Sequence, residues 1–437
     1  MNYRKRREAL SAALPPKSVA IIMNPAPAHK TGDQDYAYRP HSNMLYLCGL
    51  EEAGAVAVIA SAEQAVRFRL FVMPRDPERE RWVGPRHGIE GAKEKFGADE
   101  GYDIANLKTV LSEVIFSLDS VYFDFSQSGV LAPMLFEITE NLRHRGRRAS
   151  EGPRALCDIR DILAEMRRVK DSDEIETMKR AAHISAQGFF DVMKALRPGM
   201  GEWEVEAILK HGFRSRGAIG ESFGSICAGG AHATTLHYEA NRDPLKDGDL
   251  ILIDAGAEVD YYAGDISRTY PVNGRFTDAQ KDIYGLVLKA QKAAIETCIA
   301  GNHLKSPHDC VRRVFAQGLH DLGILTESPD VIYDQNLDFA FYFHGTSHYL
   351  GMDTHDVGTG YHRGDDTPAT LVPGVVITVE PGLYFTEDDP RVPEKYRGIG
   401  VRIEDDILIT EGAPVNLTAE LPKDIEDIER LLARQSL

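Results

Sequence analysis

Residues 249–271 read DLILIDAGAEVDYYAGDISRTYP. An apolar run, Leu250 to Ile253, ends in the carboxylate Asp254. A Gly-bearing turn region follows, and Asp265 then opens a second β-rich run, Ile266 to Tyr270. A strand, a turn and a returning strand of these lengths predict one hairpin with both carboxylates at neighbouring positions. The same signature recurs downstream. Val375 to Glu380 (VVITVE) is β-rich and ends in a carboxylate just before Pro381-Gly382, and Val401 to Thr410 alternates with Glu404 inside it. A buried carboxylate is costly unless it is paired or bound to a metal, so four acids beside apolar strands need a common explanation.

Working outward, the strands sit among well-marked helices. Asp171 with Glu174 has the spacing of a capping box, and Ile175, Met178, Ala182, Ser185, Phe189, Val192 and Leu196 behind it recur at steps of three and four. That helix stops at Arg197-Pro198-Gly199. Thr277 and Gln280 form a second capping box, opening a helix expected to end near Gly301. The first third alternates differently. Val66, Phe68, Leu70 and Val72 have the period of a half-buried strand, Ala55 to Ala60 and Ser120 to Phe125 are further β-rich runs, and Val130 to Arg143 reads as a helix. The composition shifts at the basic stretch Arg167-Arg168-Val169-Lys170. These features predict an α+β chain: a small α/β domain over 1–168 and a second domain over 169–437.

The 437-residue length leaves room for two or three domains, and 43% hydrophobic with 27% charged residues is a globular composition. No apolar run approaches the ~18–20 residues of a membrane span. Lys plus Arg is 50 and Asp plus Glu is 67, giving a net charge of −17. That balance argues against a nucleic-acid partner. The cysteines Cys48, Cys157, Cys227, Cys298 and Cys310 are scattered without a CxxC pair, which fits a reducing compartment. The start, MNYRKRREALSAALPP, lacks the apolar segment of a signal peptide and reads as an amphipathic helix. A cytoplasmic protein is expected.

The sequence has no HExxH, no GxSxG elbow, no P-loop and no GxGxxG after a strand. Taken singly, each acid is explained by a cap or by an ion pair with Arg268, Arg397 or Arg402. Taken with His348 they form an oxygen-rich set suited to Mn²⁺, Co²⁺ or Zn²⁺. Four carboxylates balance two divalent cations, which bridging carboxylates would hold ~3.5–4 Å apart to activate a water. His344-Gly345-Thr346-Ser347-His348 is followed closely by Asp353-Thr354-His355-Asp356, and His237 lies upstream. His232, His303 and His308 read as structural, the commoner role of a lone histidine.

With their contexts these residues resemble a family. Asp254 in LIDAGAE, Asp265 in GDISRTYPVNG, His348 in HGTSH, Glu380 in TVEPGLY and Glu404 in RIEDD look like the metal ligands of the pita-bread metallopeptidases. HGTSHYLGMDTHDVG and YRGIGVRIEDD are most like the aminopeptidase P branch. Tyr38-Arg39-Pro40-His41-Ser42-Asn43 and LYLCGLEEAGAVAVI resemble its N-terminal domain.

The resemblance implies a pita-bread catalytic domain and a dinuclear Xaa-Pro aminopeptidase acting through a metal-bridging hydroxide. On that reading Asp254 ligates one metal and His348 and Glu380 the other. Asp265 and Glu404 bridge, and Glu380 doubles as general base. His237, His344 and His355 are catalytic residues on the substrate side, and Tyr384, Arg402 and Trp82 bind substrate. For Trp82, simple core packing is the competing expectation. The metals expected are two Mn²⁺, with Zn²⁺ or Co²⁺ as alternatives. The partners expected are peptides with proline second, and a second or further copies of the chain as a dimer or tetramer, with no nucleic acid and no membrane. A prolidase, and a metal-free relative that only binds peptides, are the alternatives.

Overall fold

In the computed structural model, which describes residues 1–144, 152–361 and 367–433, the hairpin forms as expected. Leu250–Ala255 pairs antiparallel with Ile266–Pro271, and Asp254 stands opposite Ser267. The region between the arms bears Gly256 and Gly264, as expected, but neither glycine forms the tip. Its tip is Asp260-Tyr261, both left-handed at φ 47° and 66°, closing the pair Val259 and Tyr262. Two left-handed residues give the twist that a two-residue hairpin needs. The glycines serve the arms instead: a Cβ on Gly256 would lie 1.7 Å from the carbonyl oxygen of Gly264.

The run 375–380 ends at its acid as expected, whereas the run 401–410 is not one strand but breaks at Glu404. Val376–Val379 pairs with Asp405–Leu408, while Gly382–Tyr384 pairs with Gly400–Arg402. Glu380 and Glu404 occupy the two breaks, where the chain changes partners. There Ile403 N–H donates to Pro381 O at 3.3 Å and Glu404 N–H donates to Ser267 O at 3.0 Å.

The chain divides into two compact units, Met1–Arg167 and Arg168–Leu437. In the second, helix Ser172–Ala195 starts at a formed Asp171–Glu174 capping box, and Asp278–Glu296 starts at the Thr277–Gln280 box. The latter helix ends at Glu296, earlier than expected. Phe189, Val192, Leu209, Phe213, Ile253, Ile283 and Phe315 join the strands in one buried core. In the first unit, six strands among the described residues form a mixed sheet. The order is Glu100–Asp103, Phe68–Val72, Val56–Ala60, Ser18–Met23, Ser120–Phe123, Ala155–Asp158. Helices Leu107–Val114 and Ser128–His144 contribute to its core through Leu111, Leu131, Leu135 and Ile138.

The basic start of the chain is part of that first unit's packing. Arg6 and Arg7 on helix Tyr3–Ala13 are buried. They donate to the carbonyls of Tyr46 at 3.3 Å and Leu47 at 3.0 Å, at the C-terminal end of helix Ser42–Cys48. Cations there satisfy the last helical carbonyls and complement the helix dipole. Among the described residues no helix is long and apolar enough to cross a membrane.

Candidate metal centre

The hairpin and the two interrupted strand pairs bring the acids to one place. Asp265 lies at the start of Ile266–Pro271, and His348 precedes the bridge between Tyr349 and Ile377. Asp265, His348 and Glu404 offer ligand atoms that all lie within 4.8 Å of one another. His348 Nε2 is 3.5 Å from Asp265 Oδ2 and 3.6 Å from Glu380 Oε1. Its Nδ1–H is committed to Tyr349 O at 3.0 Å, which leaves Nε2 as the free lone pair turned to the acids. Burial, the larger cause, holds the His348 ring down to about 4 and so neutral.

The carboxylates repel one another. Asp265 and Glu404 are pushed well above the usual carboxylate range, by burial first and then by the neighbouring acids. Glu380 is pushed up to about 8 by burial, with Arg402 opposing and Asp254 adding to the rise. Asp254 Oδ1 is buried without a hydrogen-bond partner. Its other oxygen accepts from Arg402 Nη2 at 2.6 Å. The ion-pair explanation therefore holds for one oxygen of one acid. Arg268 turns instead to Asp405, and Arg397 donates to Val392 O at 3.0 Å. A neutral imidazole and clustered carboxylates with an orphaned oxygen fit hard divalent cations, and Asp254, Asp265, His348, Glu380 and Glu404 are the residues able to hold them.

Around this cluster runs a polar row. Arg402 Nη1 donates to Tyr384 Oη at 3.0 Å, and Tyr384 Oη lies 2.9 Å from His344 Nε2. His344 Nδ1–H is directed at Gly345 O at 2.7 Å, so Nε2 accepts the tyrosine proton. Burial first, then Arg402, lowers the His344 ring to about 3. Arg402 and Tyr384 are buried. His355 is exposed, its ring 4.5 Å from that of His348 in an edge-on contact. His237 is exposed on the turn after Gly230–Thr234, near enough for its charge to act on His344.

Trp82 belongs to the first unit, on helix Pro77–Val83, and is 88% exposed. Its expected core packing is therefore wrong for this chain: an apolar ring that large sits on the surface.

Sequence reasoning missed the layer behind the acids. Asp405 is fully buried and accepts from Arg268 Nη2 (2.8 Å), Gln291 Nε2 (2.8 Å), Asn416 Nδ2 (2.9 Å) and Thr418 Oγ1 (2.8 Å), as well as from Lys423 Nζ. Burial raises its pKa most, yet Arg268 and Lys423 hold it far below the usual range. Asp406 accepts from Asp265 N–H at 3.2 Å. Ser267 Oγ donates to Glu404 Oε2 at 2.8 Å and accepts from Arg402 Nε at 2.9 Å. The signal was the run Glu404-Asp405-Asp406. Side chains alternate along a strand, so three consecutive acids in an apolar strand point to both of its faces.

Comparison with known proteins agrees with this architecture. Residues 176–411 match the model of metallopeptidase family M24, and residues 3–122 match the aminopeptidase P N-terminal domain. A Xaa-Pro aminopeptidase of Haemophilus influenzae is 41% identical over 98% of this chain and 96% of its own. The Xaa-Pro aminopeptidase of Escherichia coli is 38% identical over 98% and 97%. An aminopeptidase structure from Pseudomonas aeruginosa superposes with a TM-score of 0.97 at 39% identity, covering 100% of this chain and 98% of that one. With both domain models matched in order and likeness along nearly the whole length, this chain belongs to metallopeptidase family M24, in its aminopeptidase P branch, and is a metalloaminopeptidase.

Proposed function

We propose that this enzyme removes the N-terminal residue from peptides whose second residue is proline, using two divalent cations. The observation that carries the reading is the convergence of Asp265, His348, Glu380 and Glu404, with Asp254 near enough for its charge to act on them, in a chain similar throughout to Xaa-Pro aminopeptidases. When bound, such ions supply an activated water and polarise the scissile carbonyl. Asp254, Asp265, His348, Glu380 and Glu404 would hold the ions, with Asp265 and Glu404 as the bridging ligands of this reading, Asp254 on one ion and His348 and Glu380 on the other. Glu380 takes a proton and returns it to the leaving nitrogen. The row His344, Tyr384 and Arg402 orients the peptide. His237 and His355 line the substrate side as preorganised polar groups. Trp82 contributes to substrate binding from the exposed face of its helix. Mn²⁺ is the metal of this reading, with Zn²⁺ or Co²⁺ as substitutes. The donor set supports all three, and a related Escherichia coli structure is described as Zn-substituted. The enzyme acts in the cytoplasm as a homo-oligomer, a dimer or tetramer, with peptides and neither nucleic acid nor membrane as its partners.

A Xaa-Pro bond lacks the N–H that peptidases gripping an extended backbone use, and its ring fixes φ. Direct attack on the carbonyl avoids that difficulty. The test is product analysis on matched di- and tripeptides, with metal content measured in the same samples. Xaa-Pro-Yaa peptides should be cut between Xaa and Pro faster than Xaa-Pro dipeptides. C-terminal amidation should change little, and N-acetylation or Pro→Ala should slow cleavage strongly. A preference for the dipeptide, or a large loss on amidation, moves the assignment to prolidase. Full activity without metal removes the proposal altogether.

A further inference from the structure

The basic stretch at the start of the second unit is unused by the chemistry above, yet one of its side chains goes somewhere specific. Lys170 Nζ lies 3.0 Å from Asp356 Oδ2, and both side chains are 1% exposed. Stripping two charges of water costs several kcal/mol per ion, and their attraction often does no more than offset it. A pair this dry is therefore poorly explained as plain stabilisation. Its neighbours suggest another use. Asp356 follows His355 directly, and its N–H donates to Tyr349 O at 2.9 Å. The same Tyr349 carbonyl takes the His348 Nδ1–H at 3.0 Å. The loop 349–356 is thus tied to the His348 ligand at one end and to the ion pair at the other. Lys170 is itself held, its N–H donating to Gly374 O at 2.9 Å. Gly351 completes the fit, because a Cβ there would lie 2.1 Å from Asp356 Oδ2 and 2.9 Å from Lys170 Cε.

We infer that Lys170 and Asp356 are a positioning pair that sets the backbone carrying His355 and so aims that exposed imidazole at the substrate. The inference rests on the proposed role of His355. A misplacement of ~1 Å at a reacting group costs up to ~10²-fold in rate, and the imidazole is exposed, with one edge held against the His348 ring.

The experiment is a double-mutant cycle on the metal-loaded enzyme with a Xaa-Pro-Yaa peptide, reading kcat, KM and the melting temperature. Lys170→Met should lower kcat ~10- to 100-fold with KM nearly unchanged, and Lys170→Arg, which keeps the charge, should recover most of that loss. In a His355→Ala background, Lys170→Met should lower kcat no further, while the melting temperature falls by the same amount in both backgrounds. Asp356→Asn, which keeps the side-chain shape, is read the same way and serves if Lys170→Met does not fold. Losses in kcat that repeat in full in the His355→Ala background, or an unchanged kcat in Lys170→Met, overturn the inference and leave the function untouched. An unchanged kcat in His355→Ala itself overturns the role of the histidine and the inference with it.

Discussion

Three histidines within a dozen residues look interchangeable in sequence, and their environments separate them. His348 spends Nδ1 on a backbone carbonyl and turns Nε2 to Asp265 and Glu380. His344 has both nitrogens engaged, one by Gly345 O and one by the Tyr384 hydroxyl. Its 3.8 Å approach to Glu380 is made by the nitrogen already donating to Gly345. His348→Ala should therefore reduce bound metal below that of the parent, with activity falling in step. His344→Ala should keep its metal and lose ~10²–10³ in kcat, the usual effect of removing one preorganised polar group. Elemental analysis beside single-turnover rates separates the two. Equal metal loss in both variants means the division between ligand and substrate histidines is mistaken.

At the scale of elements, the carboxylates mark interruptions. The hairpin of 249–271 was readable because its arms are apolar or β-rich runs with an acid at the turn end of each, and both capping boxes form where their spacing placed them. The end of a strand at Glu380 was readable, but the break at Glu404 and the exchange of partners across both acids were not. A change of strand partner depends on Gly382–Tyr384 meeting Gly400–Arg402, a pairing with no local sequence signal. The ion-pair network on Asp405 was hidden for the same reason, since Lys423, Asn416, Gln291 and Arg268 come from four separate places in the chain. What was readable at the site was residue identity and order, and what was not was the wiring behind it.

Glycines give the element scale its sharpest test. Gly256→Ala drives a methyl to within 1.7 Å of Gly264 O and 2.5 Å of Gly264 C, both backbone atoms unable to step aside. Urea unfolding should show a loss of ~1–3 kcal/mol or more. Gly285, inside helix Asp278–Glu296, has open space around the position a Cβ would take, with nothing within 4 Å. Gly285→Ala should instead gain ~1 kcal/mol, because alanine is the better helix former. A neutral Gly256→Ala means the two hairpin arms can part more easily than their close approach implies.

For the whole molecule, the opposed carboxylates predict how stability depends on pH. In metal-free enzyme the carboxyl of Glu380 titrates at about 8, against an ordinary value of 4.5. Between those values the folded state keeps a proton that the unfolded chain has already released. Stability therefore falls as pH rises through that window. Asp265 and Glu404 are shifted in the same direction and add to the fall. Asp405 is shifted the opposite way by Arg268 and Lys423, so its contribution is present above the ordinary carboxylate range and is lost only in acid. The melting temperature of chelator-treated enzyme should therefore drop between about pH 5 and pH 8, and an added divalent cation should flatten the curve, because a ligand bound only by the folded, deprotonated site stabilises it. A flat or rising curve for the chelated protein rules this account out.

The partner exchange at Glu380 and Glu404 also sets an order of events during synthesis. Arg402 and Asp254 meet across 148 residues, and Lys423 still has to arrive to neutralise Asp405 beside Glu404. A chain growing from its N-terminus can complete its first unit and the 249–271 hairpin long before it has a site, because pairings this distant close last. A nascent chain that ends between residues 406 and 423 has every acid of the site but, of the two cations that pair with Asp405, only Arg268.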